Sequence, residues 1–302
     1  AKKPEKKTRR KRVKKPKKTP PMIPPESWKL LGQFIEGMRH NDYSLFRRVA
    51  TELLAPGKVD MQGMFFGTDA WDFVTGEYMS QRQNPSFIDY FWVWRFMHMP
   101  MVRVMTAQVP RARCYHALST GYAGLMGAAA SVRMGAPLIL TEHGIYNKER
   151  QIEISQAEWI FQSEDKELDF EKKERYFKNW WMKMFLALSR ITYLHADTII
   201  TLFEGNRLLQ IRDGADPTKI EVVPNGIYVE GFSKLVREEP PGKPVIALIG
   251  RVVPIKDIKT FIRAAKLVYE KRPDATFRVI GPTDEDPEYF QDCLSLAGVM
   301  GL

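Results

Sequence analysis

The sequence predicts an α/β protein built on parallel sheets in two domains, the second of them incomplete within these 302 residues. Three observations carry this expectation. Short apolar runs of strand length, at 137–141, 197–202, 220–223 and 245–249, alternate with longer segments of helical period. Their strand, helix, strand order is that of βαβ units, in which parallel strands need a crossover, expected to be right-handed. Residues 230–243, rich in Glu, Lys and Pro, then read as an interdomain connection, after which a fresh sheet begins. The expected division is a basic tail at 1–26, a first domain at 27–229, that connection, and the start of a second domain at 244–302.

In chain order, the tail comes first. Twelve of its first eighteen residues are Lys or Arg against Glu5 alone, and Pro16, Pro20, Pro21, Pro24 and Pro25 oppose a regular helix, so it reads as disordered. The formal net charge of +10 belongs to this tail, and the body is close to neutral. A solvated arm and a contact to anionic membrane or nucleic acid are both open readings. No apolar stretch follows the basic run, which argues against a signal peptide. Apolar residues from Trp28 to Leu54 follow helical spacing in two helices interrupted at His40-Asn41-Asp42. Residues 69–79 form a further helix. Residues 87–105 form an aromatic one with a break or kink expected at Pro100, its rings and His98 belonging to the core.

Residues 113–118 read as a short strand, and Ser119 or Thr120 can cap the small-residue helix that ends near Gly135. Gly121, Gly124 and Gly127 allow close approach of another backbone or a ligand. After the next strand come Glu142, His143 and Gly144. His143 therefore stands at the carboxyl end of a buried strand, the crevice position of an α/β domain. A long amphipathic helix over 172–196, a strand, a helix over 204–212 and another strand complete the first domain, which Pro224-Asn225-Gly226 terminates.

The second domain opens on Val245 to Ile249, read as a buried parallel strand, followed by Gly250 and a loop carrying Arg251 and Lys256 before a helix that starts near Asp257. Loops at the carboxyl ends of parallel strands feed helix N-termini suited to anions. An arginine that grips phosphate oxygens in pairs, beside a mobile lysine, suits a diphosphate. No GxxxxGK[ST] or GxGxxG motif occurs, which disfavours a P-loop nucleotidase and a dinucleotide fold. Cys114 and Cys293 stand far apart, so no disulfide framework or zinc site is expected and a reducing cytoplasm fits. The longest apolar run, Tyr122 to Val132, is far short of the roughly 20 residues that cross a bilayer.

Six segments, LTEHGIYNKERQIEISQAEWI, GRVVPIKDIKTFIRAA, VVPNGI, EGNRLLQIRDGA, NPSFIDYFWVWRFMH and CYHALSTGYAGLMGA, resemble the family 4 retaining glycosyltransferases, and within them those that build the Pel exopolysaccharide. The resemblance runs from about Trp28 to Leu302. It implies the GT-B fold, two Rossmann-like domains facing each other across a cleft. It also implies transfer from a nucleotide diphosphate sugar, UDP-glucose first, with no metal and no cofactor. Gly250, Arg251 and Lys256 would then hold the donor diphosphate, Glu142 and His143 would face the donor sugar, and Asn225 and Gly226 would lie in the loop near the hinge. The implied partners are a polysaccharide acceptor and membrane proteins of an export complex, at the cytoplasmic face of the inner membrane. The family's first strand with its glycine-rich loop is expected upstream of Trp28, and a pair of donor-binding glutamates beyond Leu302, so low activity is expected of this chain. Alternatives are a family 4 enzyme acting on a lipid-linked glycan, or a non-catalytic module held to membrane or nucleic acid by the tail.

Overall fold

A computed structural model of the protein describes residues 24–80, 86–156, 169–235 and 242–302, and within these the side chains of all but 169–174. The chain divides into two compact units that meet at Gly226 and Ile227. The boundary falls just before the expected connection, whose residues 236–241 lie outside the described residues, as does the tail over 1–23.

The first unit begins with helices. Helix α1 (Pro25–Arg39) starts inside the segment read as tail, because proline is tolerated at the first helical position, where its missing N–H would have no partner anyway. Its residues Leu31, Phe34 and Ile35 are buried. The short α2 (Phe46–Arg48) runs into a π turn over Val49–Leu53. Next come α3 (Met61–Phe66), α4 (Thr68–Ser80) and α5 (Phe87–Met105). Asp60 caps α3, accepting from Gln62 N–H and Gly63 N–H. The sequence reading did not include this helix, which is too short to show a period.

Of the break or kink expected at Pro100, the break is absent, since helix α5 continues through it. Proline removes the hydrogen bond to the carbonyl four residues earlier, that of Phe96, whose side chain is exposed. The aromatic side chains of α5 divide by helical spacing. Tyr90 and Trp94 are fully buried, whereas Ile88, Trp92 and Phe96 form an exposed stripe and do not belong to the core as expected.

His98 is in the core. Its Nδ1 is 2.7 Å from the Trp94 carbonyl and its ring stacks on Trp94. Burial lowers its pKa to about 4, with the Trp94 bond opposing and Arg39 adding to the shift. A histidine with a depressed folded pKa contributes stability that is complete above about pH 6.5 and is lost as pH falls toward 4. Denaturant melts are therefore expected to weaken over that window by on the order of 3 kcal/mol, and His98→Phe, which cannot titrate, removes the dependence. An unchanged profile in His98→Phe would count against this.

The sheet of the first unit has four parallel strands in the order β1 (Tyr115–Ala117), β2 (Leu138–Glu142), β3 (Thr198–Thr201) and β4 (Ile220–Val222). Registers such as Leu140 opposite Ile199 and Ile199 opposite Ile220 place buried side chains side by side. The connections are α6 (Gly121–Met134), α7 (Tyr146–Gln156) with the 27-residue α8 (Asp169–His195), and α9 (Glu204–Asp213). Gly124 lets α6 approach α8, since a Cβ there would come within 3 Å of the Thr192 side chain, which is itself bonded to the Leu188 carbonyl. Thr120 precedes α6 but its hydroxyl does not cap the helix, contrary to expectation: it donates to the buried Glu142 carboxylate, and its oxygen accepts from the Ser189 hydroxyl.

The second unit contains α10 (Val229–Phe232), β5 (Val245–Ile249), α11 (Ile258–Lys271), β6 (Thr276–Ile280) and α12 (Pro287–Val299). β5 and β6 pair in parallel from Val245 opposite Thr276 to Ile249 opposite Ile280. Val252, Ile258, Ile262 and Cys293 form its core, with Leu248 packed against them. The expectation of a buried β5 is not met: Val245 is 44% and Ile249 80% exposed. Alternation along the strand puts these two on the face opposite Leu248, and among the described residues β5 pairs with β6 alone.

Candidate functional site

In the first unit the carboxyl end of β2 brings Glu142, His143 and Gly144 to the loop before α7. The side chains of Glu142 and His143 go to opposite destinations, as neighbours on a strand end must. Glu142 is fully buried. Its Oε1 accepts from the Thr120 hydroxyl (3.0 Å) and the Tyr146 N–H (3.3 Å), and its Oε2 from the Tyr193 hydroxyl (2.8 Å) and Gln210 Nε2 (2.9 Å). Ser189 in turn donates to Thr120 (3.0 Å). One carboxyl group thus ties the strand to the start of α6, the start of α7, the last turns of α8 and the middle of α9. Desolvation raises its pKa, and the bonds from Gln210, Tyr193, Thr120 and Tyr146 oppose that shift.

His143 is exposed, and its position is fixed through the backbone, where its carbonyl accepts from Asn206 Nδ2 at 3.0 Å. The imidazole is therefore presented from a held main chain, with the Glu142 network directly behind it. Asn225 and Gly226 are both exposed, in the segment that follows β4. In this unit His143, Asn225 and Gly226 face solvent and Glu142 does not.

In the second unit the carboxyl ends of β5 and β6 are knitted together beyond the strands. Gly250 N–H donates to the Ile280 carbonyl (2.9 Å) and Val252 N–H to the Pro282 carbonyl (3.0 Å). Val252 and Val253 are buried and anchor the loop. A 3-10 turn over Pro254–Lys256 then leads to Asp257, at φ 49°, whose carboxylate accepts from Thr260 N–H and caps α11. This chain path places Arg251 at the foot of the loop and Lys256 at its head, just before the helix N-terminus.

Arg251 is already engaged: its Nη1 reaches both carboxylate oxygens of Glu285, at 2.7 and 2.6 Å, with both side chains about half exposed. Lys256 is exposed and makes no ion pair among the described residues. Sequence reasoning missed Glu285 because the pair spans 34 positions and no local pattern announces it. It also missed the donors to Glu142. The available signal was on the otherwise apolar side of α8, where Tyr193 carries a donating hydroxyl and Ser189, which donates to Thr120, is buried. Among the described residues no group of three or more His, Cys, Asp or Glu is placed to hold a metal ion, and no helix is long and apolar enough to cross a membrane.

Comparison with known proteins gives three findings. Over 112 residues the chain is 30% identical to a D-inositol 3-phosphate glycosyltransferase of Nocardia farcinica, a match covering 34% of this chain and 25% of that protein. The crystal structure of HepE from Anabaena in complex with UDP and glucose aligns at a TM-score of 0.40 and 16% identity over 69% of this chain and 48% of that one. The chain thus spans about a quarter of the length of the curated relative and about half of the solved one. A family model described as a domain of unknown function, DUF3492, matches residues 6–218, nearly all of the first unit. The chain belongs to the DUF3492 family.

Proposed function

We propose that the protein is a GT-B glycosyltransferase that takes a sugar from a nucleotide diphosphate donor, with UDP-glucose the donor to test first. The observation that carries the reading is the loop after β5. A glycine-backed turn, two exposed cations and a helix N-terminus converge there at the carboxyl end of a parallel strand, the arrangement that receives phosphates. The similarity to a curated glycosyltransferase agrees in kind. The quoted segments resemble family 4 retaining enzymes, the Pel exopolysaccharide glycosyltransferase PelF among them, so the finer reading is retaining transfer onto a growing exopolysaccharide.

On this reading Arg251 and Lys256 neutralise the diphosphate as its bond to the anomeric carbon breaks, which lowers the barrier where negative charge develops. His143 presents a ring toward the donor sugar from a main chain fixed by Asn206. Glu142 acts through position: its buried carboxyl holds the strand end that carries His143. Asn225 and Gly226 are the exposed residues with which the first unit ends. No metal is assigned a part. The basic tail supports a peripheral position at an anionic membrane, and binding to anionic vesicles that survives deletion of residues 1–18 would count against that placement.

The test is UDP binding measured by calorimetry on the full chain. Arg251→Ala and Lys256→Ala are each expected to weaken UDP by about tenfold or more, the scale of one charge-assisted hydrogen bond. Glu285→Gln is expected to tighten it, because the diphosphate no longer competes with a carboxylate for Arg251. Absence of UDP binding in the wild type, or equal affinity in the three variants, overturns the reading.

A further inference from the structure

A second concavity lies in the first unit, among α1, α4 and α8, and shares no residue with the loops described above. Its volume is about 610 Å³, within the range of small-molecule sites. Two carboxylates from different helices, Glu36 and Glu77, converge on it and are bridged by Arg39, whose Nη1 donates to Oε2 of each, at 2.7 and 3.2 Å, while Oε1 of Glu36 lies 2.8 Å from His40 Nε2. Trp180 supplies an aromatic wall. Stacking on Tyr90 at 5.2 Å fixes the plane of this half-buried indole. Asn179, with both a donor and an acceptor, and the Lys183 ammonium complete the polar lining used here.

This lining selects a chemical class. The charges of Glu36 and Glu77 cancel those of Arg39 and Lys183, so no net field favours an anion or a cation. What remains is dense in hydrogen-bonding groups around an aromatic plane, with preorganised carboxylate acceptors suited to hydroxyl donors. A neutral polyhydroxylated ring matches that set, with its hydroxyls on the polar groups and its C–H face on the indole.

The position fits as well. α8 runs back toward the start of β3, so its earlier turns project past the carboxyl ends of the strands. Ser189 meets Thr120 there, and Trp180 lies about 13 Å further along at roughly 1.5 Å per residue. The concavity therefore opens beyond the side of the sheet where α/β domains gather their ligands.

We infer that the α1–α4–α8 concavity is a binding subsite for a neutral saccharide, with Glu36, Glu77 and Asn179 reading hydroxyls and Trp180 the ring face. The saccharide class deepens the transferase reading and rests on it. The site itself is tested apart from that reading, because UDP binding depends on other residues.

The experiment places the full chain on an array of neutral, amino and uronate oligosaccharides and measures the bound sugars by calorimetry. Neutral saccharides are expected to bind, and Glu77→Gln and Asn179→Ala to weaken them by about tenfold each, with UDP affinity unchanged. Asn179 is exposed, so its variant keeps the fold and remains informative if Glu77→Gln is unstable. Failure of every neutral saccharide to bind, a preference for uronates or amino sugars, or binding unchanged in Asn179→Ala overturns the inference. Loss of UDP binding with saccharide binding intact would instead overturn the donor-site reading alone.

Discussion

Glu142→Ala is expected to cost the first unit at least about 3 kcal/mol of stability, enough to leave much of it unfolded at ambient temperature. Four donors meet that carboxyl group, and truncation leaves the Thr120 and Tyr193 hydroxyls, the Gln210 amide and the Tyr146 N–H facing a cavity. Each unsatisfied buried group costs about 1–3 kcal/mol, and water entering the cavity recovers only part. Glu142→Gln keeps the size and one acceptor oxygen but turns an NH₂ toward groups that already donate, so a smaller loss of about 1–2 kcal/mol is expected. Denaturant melts followed by circular dichroism separate the two. An alanine variant as stable as wild type would show that the network holds nothing.

The same residue sets a pH dependence. Burial favours its neutral form, so the folded pKa lies above the unfolded value. The folded state then binds more protons in the interval between the two values. This contribution is fully present below about pH 4.5 and is lost as pH rises through the folded pKa. His98 has the opposite sign, losing stability as pH falls below about 6.5. Wild-type melts superpose the two slopes, and the variants resolve them. Glu142→Gln leaves the acid-side loss of His98, and His98→Phe leaves the decline with rising pH that belongs to Glu142.

What the sequence revealed and what it hid follow from how far apart the interacting groups stand. The βαβ order was legible because strand and helix periods are local, and five of the six strands fell where the sequence reading placed them within two residues. Burial of β5 was not legible, because an apolar strand reads alike whether its second face is covered or open. Pro25 misled, and Pro100 did not end its helix, for one reason: proline's cost depends on whether the lost N–H had a partner, and a helix start or an already exposed turn has little to lose. His143 could be placed from its position after a strand, whereas the burial of its neighbour Glu142 depends on donors from α6, α8 and α9 that no sequence window contains. The engagement of Arg251 by Glu285 was hidden in the same way.

Gly281→Ala is expected to disable the second unit, and with it UDP binding, at a cost of about 3 kcal/mol. A Cβ at this position would come well within 3 Å of the Gly250 carbonyl, a backbone atom that cannot swing aside as a side chain can. Relief requires the ends of β5 and β6 to separate, which breaks the Gly250-to-Ile280 and Val252-to-Pro282 hydrogen bonds that set the path of the Arg251 loop. The control is Gly250→Ala at the facing end of β5. There the nearest atom to a new Cβ is Cδ of Lys256 at 3.9 Å, an ordinary contact, so the fold is kept. If the Gly250 backbone lies against the donor phosphates, that added methyl fills the space they need, and UDP binding weakens while the melt is unchanged. Two alanines at facing glycines thus part fold from site. Unchanged UDP affinity in Gly250→Ala would remove Gly250 from the donor site, and a stable Gly281→Ala would show that the strand ends are not locked together as their hydrogen bonds require.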